Sequence, residues 1–168
     1  MNTLRNLKME DYQKFVLEHL SDIPNLELLI LKGHILVEYA INLYLESLSK
    51  ANQSDFFKEN FTFSNKLTIL KHFGNLGSKD DNLYQEIHLL NKLRNDIAHK
   101  LTYNEKHLQD FFSHIGNKYP MINNDTYTLK TKKFIGAISF ICGAIFSAYK
   151  FRTDKADLDK FLSESKKD

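Results

Sequence analysis

The sequence predicts an all-α fold, a helical bundle of about five or six helices in a single domain. Three observations carry this. Glycine (6) and proline (2) are scarce in 168 residues, so the chain lacks the frequent breaks that many short strands require. Apolar residues recur at spacings of three and four through several long stretches, and none shows the sustained alternation of a half-buried strand. Large rings are plentiful, with 13 Phe and 8 Tyr, and supply bulk for a core between helices. A chain of this length fits one domain and buries about two thirds of its unfolded surface.

A first helix is predicted over 8–20, with Phe15, Val16, Leu17 and Leu20 as its apolar side. Asp22-Ile23-Pro24 stops and restarts the chain, with Pro24 suited to a first turn. A long helix follows over 26–49. Its polar residues Glu27, His34, Glu38, Asn42 and Glu46 recur at spacings of seven and four, in one stripe. Residues 52–62 read as a loop or short helix pinned to the core by Phe56, Phe57, Phe61 and Phe63. Ser64 is a candidate N-cap and Gly74 a candidate stop for a helix over 64–73. Asp80 or Asp81 caps the next helix, over 82–99. A shorter helix covers 105–115, 116–125 form a loop, and a last long helix spans 129–151. A charged tail over 152–168 lies outside the core region of about 24–150.

The net charge of +2 neither demands nor excludes a nucleic-acid partner, since a local patch matters more than the sum. The lone Cys142 has no intramolecular disulfide partner and sits in an apolar run, as a reduced buried thiol does; the expected compartment is the cytoplasm. Residues 1–12 carry both charge signs and no apolar signal-peptide core. The apolar run 134–149 is 16 residues long, short of the ~20 that span a bilayer, so it reads as a core helix with no membrane role.

The most informative segment is Arg94-Asn95-Asp96-Ile97-Ala98-His99. At about 100° per residue, Leu83, Ile87, Leu90, Ile97 and Leu101 form a narrow core-facing stripe that also holds Arg94. His99 points almost opposite, with Asn95 and Asp96 four and three residues before it and within hydrogen-bonding reach. Two readings compete for an arginine in an apolar stripe. Either it pairs with an acid such as Glu38 and sets helix register, or Arg94 and His99 serve a phosphate-handling site, the guanidinium binding the anion and the imidazole moving a proton.

The run Leu90-Asn91-Lys92-Leu93-Arg94-Asn95-Asp96-Ile97-Ala98-His99 resembles the signature of HEPN domains: an arginine, often a polar residue next, and a histidine after four to six positions. Here four residues intervene and Asn95 fills the polar place. The frame is similar to the branch related to the mannitol repressor, with Phe63-Ser64-Asn65-Lys66, a helix closing at Gly74, and the long helix carrying Glu38. The resemblance implies a helical-bundle homodimer whose two motifs meet in a shared cleft. It implies a metal-independent endoribonuclease of toxin–antitoxin or anti-phage systems, with no cofactor, in which a ribose 2′-hydroxyl attacks the adjacent phosphorus. Arg94 and His99 would then be catalytic, as phosphate binder and general acid or base. Asn95, Asp96 and Glu38 would support them, and an antitoxin or regulatory protein would be a partner. The mannitol-repressor branch implies instead a non-catalytic regulatory module. Some toxin members carry a tyrosine two residues after the histidine; here Leu101 stands there and Tyr103 two further on.

Other signals carry less. His34 and Glu38 are two ligands and make no metal site. His107 and His114, seven apart, read as surface residues. Lys130, Lys132, Lys133, Lys150, Arg152 and Lys155 bracket the last long helix as solvated charges or phosphate contacts. Gly136, Ser139, Gly143 and Ser147 make a strip that permits close helix approach, inside the monomer or at a dimer contact.

Overall fold

The structure is a computed structural model that describes residues 5, 7–48, 60–74, 76, 83–120 and 129–164, with side chains through 155. Six helices and no strand occur among the described residues: α1 (Met9–Leu20), α2 (Leu26–Leu48), α3 (Phe63–Phe73), α4 (Tyr84–Lys100), α5 (Glu105–Lys118) and α6 (Lys130–Glu164). The all-α bundle is therefore the fold. The loop expected over 52–62 and the caps expected at Asp80 or Asp81 lie outside the described residues, apart from Asn60, Phe61 and Thr62.

Helix starts follow local polar chemistry, sometimes one residue from the expected place. Asn25, not Pro24, opens α2: its Oδ1 accepts from Leu28 N at 2.8 Å, and Pro24 lies just outside the helix. Thr62 rather than Ser64 caps α3, its Oγ1 accepting from Asn65 N at 3.2 Å. Each satisfies an amide that the helix itself leaves without an acceptor. The charged tail is not a separate segment. The α6 helix runs 35 residues, because residues 152–164 contain no proline or glycine to stop it and are rich in helix formers.

The core sits between α2 and α6. Leu29, Ile30, Val37, Ala40, Ile41 and Tyr44 of α2 meet Phe134, Ile138, Ile141, Ile145 and Phe146 of α6, all buried. Gly33 sets how closely the two helices approach, since a Cβ there would lie 3.0 Å from both Ile138 Cγ1 and Phe134 Cε1. Along the small-residue strip of α6, Gly143 receives α1, with Met9 Cε placed 3.4 Å from where a Cβ would stand. Tyr12 of α1 stacks on Phe146 with ring centroids 3.9 Å apart. Burial pushes the Cys142 thiol up to about 12, partly offset by its hydrogen bond with Tyr12, so it is a core hydrophobe without reactivity.

Two helices, Leu26–Leu48 and Lys130–Lys155, are long and apolar enough to cross a membrane, but 61% and 50% of their apolar windows are buried against the rest of the protein. Core helices of water-soluble bundles have the same composition.

α4 and α5 form an antiparallel hairpin laid against this core. Leu101 closes α4 in the left-handed conformation (φ 59°), a cap more usual for glycine or asparagine. It turns the chain so that α5 returns along α4. Asn104 then caps α5, its Oδ1 accepting from Lys106 N at 2.9 Å.

Candidate functional site

The motif lies on the last two turns of α4. The buried residues of that helix are Glu86, Ile87, Leu89, Leu90, Leu93, Asp96 and Ile97. The centre of this set is roughly 80° around an ideal helix from Arg94. The core-facing stripe read from sequence was thus centred on one edge of the true buried face, because it left out Leu89, Leu93 and the two buried acids. Arg94 is consequently exposed, not buried.

No carboxylate pairs with Arg94 among the described residues; its Nη1 donates to Asn95 Oδ1 at 3.1 Å. Glu38, the acid expected to meet Arg94 if the latter were structural, instead accepts from Lys66 Nζ at 2.6 Å and lies 4.0 Å from His34 Nδ1. The Phe-polar-polar-Lys segment thereby contributes both ends to this cluster: Lys66 closes on Glu38, and Phe63 packs against the His34 ring with centroids 4.2 Å apart. His34 is buried, and its Nε2 donates to Asn91 Oδ1 at 3.3 Å. Burial holds this imidazole below its ordinary value, and the charges of Arg94 and Lys66 act the same way against Glu38 and the Asn91 contact. His34 is therefore neutral near pH 7, and the Arg94 charge bears on its ring without a direct contact.

His99 is exposed and has no hydrogen-bond partner among the described residues. The contacts expected between it and its neighbours are not formed, because Asn95 engages Arg94 and Asp96 turns the other way, toward α5. Asp96 is buried. Its Oδ2 accepts from His107 Nδ1 at 2.6 Å and from Asn104 N at 3.3 Å, while Oδ1 accepts from Lys100 Nζ at 3.1 Å. Burial alone would raise its carboxyl, but the hydrogen bonds from His107, Lys100 and Asn104 outweigh that and hold it below the usual carboxylate value. His107, read from sequence as an ordinary surface residue, is thus tied to a motif residue. The signal that points to it is the basic stripe His107, His114 and Lys118 at spacings of seven and four along α5, which faces the two acids of α4.

The second of those acids, Glu86, is fully buried and lies 2.9 Å from Lys118 Nζ and 3.6 Å from His114 Nε2. It anchors the far end of the hairpin. The outward arc of α4 carries Tyr84, His88, Lys92, Asn95 and His99 at spacings of three or four. Tyr84 and His88 stack nearly parallel, with centroids 5.9 Å apart and planes 9° apart, and Lys71 Nζ stands 5.5 Å from the Tyr84 ring. Burial and then the Lys92 charge hold His88 below its ordinary value. Rings interleaved with cations are the surface chemistry that single-stranded nucleic acid uses. Of the basic residues flanking α6, Lys130 pairs with Glu105 at 2.7 Å and Lys150 lies 3.9 Å from Asp154; they are engaged locally. No group of three or more His, Cys, Asp or Glu side chains able to hold a metal occurs among the described residues.

Comparisons with protein-family models, with curated proteins and with solved structures find no match for this chain.

Proposed function

We propose that the chain is a HEPN-type endoribonuclease of a cytoplasmic defence or toxin–antitoxin system, working as a homodimer without a metal or other cofactor. The observation that carries this is the state of Arg94: an exposed guanidinium at the end of a well-packed helix, with an amide and no carboxylate for partner. A register-setting arginine would be buried against an acid; this one is open to an anion, and a guanidinium suits phosphate oxygens through its paired donors. His99, exposed further along the same helix, supplies an imidazole that can give or take a proton. Asn95 orients Arg94, and Glu38 acts indirectly by holding Lys66 and lying beside His34, whose ring feels the Arg94 charge.

The wide angular separation of Arg94 and His99 on one helix favours a cleft assembled from two chains. Leu28 and Ile35, seven apart on α2, remain 48% and 63% exposed, and an apolar strip of this kind suits a twofold contact. The same strip favours the alternative reading, a non-catalytic regulatory module similar to the mannitol repressor that binds another protein. Incubation of purified protein with single-stranded RNA in excess EDTA separates the two. The nuclease reading expects products with 2′,3′-cyclic phosphate ends, none when the cleaved position carries deoxyribose, and loss of activity in Arg94→Ala and His99→Ala. No cleavage of any RNA by a protein that light scattering shows to be dimeric favours the regulatory module.

A further inference from the structure

We propose that His107 is a second proton-transfer group of the site, so that one chain carries both a base, His107, and an acid, His99, on either side of Asp96. This rests on the ribonuclease reading above. A phosphoryl transfer from the leaving 5′-oxygen to a 2′-hydroxyl moves two protons, one off the nucleophile and one onto the leaving group, and a single imidazole performs only one of these at a time.

The contact with Asp96 prepares His107 for the first. A carboxylate 2.6 Å from Nδ1 keeps the proton on that nitrogen and leaves the lone pair on Nε2, the tautomer a general base needs. Nε2 has no partner among the described residues, and the side chain is 30% exposed while that of Asp96 is only 8% exposed. A contact serving only to staple α5 to α4 has no need of a histidine with one nitrogen open. The other end of the hairpin shows what such a staple looks like: Glu86 meets Lys118 at 2.9 Å, and His114 stands off at 3.6 Å. His99 follows Asp96 by three residues, which places their Cβ atoms about 5–6 Å apart on one helix face. Lys100, held by the other Asp96 oxygen and 61% exposed, adds a cation for the phosphate.

In the step, His107 Nε2 takes the 2′-hydroxyl proton as O2′ bonds to phosphorus. The P–O5′ bond breaks, and the His99 imidazolium protonates O5′. The products are a 2′,3′-cyclic phosphate and a 5′-hydroxyl, and exchange with water restores both histidines. His107 and His99 are catalytic in this scheme, and Asp96 is a positioning residue.

The test uses single-stranded RNA in EDTA, once with natural linkages and once with a sulfur in place of the leaving O5′, which departs without protonation. Wild type, His99→Ala, His107→Gln and Asp96→Asn are compared, with thermal melts as fold controls; glutamine keeps a donor for Asp96 without a titratable nitrogen. His107→Gln is expected to lose about 100-fold or more on both substrates. His99→Ala is expected to lose as much on natural RNA and to recover on the sulfur substrate. Asp96→Asn is expected to lower kcat with little change in KM, and it carries the test if His107→Gln does not fold. Wild-type cleavage that persists in His107→Gln, or recovery of that variant by sulfur, overturns the proposal and leaves the ribonuclease reading standing. Absence of cleavage by the wild type overturns both.

Discussion

Arg94→Ala is expected to leave stability almost unchanged while abolishing function, and its magnitude follows from the surroundings of Arg94. The guanidinium is exposed and bonds only the neighbouring Asn95 side chain, at 3.1 Å. An exposed contact of that kind contributes a few tenths of a kcal/mol, and alanine is at least as good a helix former as arginine. The two nearly cancel, so the change in unfolding free energy should stay within about 0.5 kcal/mol. At roughly 2–4 °C per kcal/mol for a chain of this size, the melting temperature should move by less than about 2 °C. Had Arg94 been the buried partner of Glu38, its removal would cost about 3–5 kcal/mol. Urea melts followed by circular dichroism at 222 nm distinguish these outcomes. A loss above about 2 kcal/mol would refute the placement of Arg94 at the surface, and with it the argument that the residue is held for a ligand.

The folded protein keeps His34 and His88 below their ordinary values, so the unfolded chain binds protons first as pH falls through about 6.5 and stability declines from there toward acid. Melts at pH 7.5 and 5.5 should show a lower transition at 5.5, and His34→Gln should flatten part of that slope; an unchanged slope would place the effect elsewhere. Asp96 acts in a separate window, its contribution being lost only as pH falls below its ordinary value of 3.8 toward the lower folded one. Phe146→Ala removes a fully buried ring stacked on Tyr12 and should cost about 3–5 kcal/mol in a denaturant melt. Cys142 should resist an aromatic disulfide reagent at pH 8 in the native protein and react promptly in guanidinium, since burial both shields the thiol and keeps it protonated; native-rate labelling would contradict the packing of α1 on α6.

The helical spacing of apolar residues and the shortage of breakers determined the all-α class and placed all six helices to within a few residues at most described ends. These are local properties: each depends on propensity and capping within a turn or two of chain. The continuation of α6 through the charged residues is of the same kind, and the absence of proline and glycine in 152–164 already contains it. The partners of the charged residues are not local. A helical projection gives the angle between Arg94 and Leu90, but which arc is covered depends on where α2, α3 and α5 lie. Only the packed structure shows that Lys66 claims Glu38, that Asp96 turns inward to His107, and that Arg94 is thereby left at the surface. Buried acids such as Glu86 and Asp96 look polar in a sequence pattern and so displace the apparent centre of the apolar face. They tolerate burial because basic groups from the next helix meet them there, and the chain reversal at Leu101 brings that helix back to them.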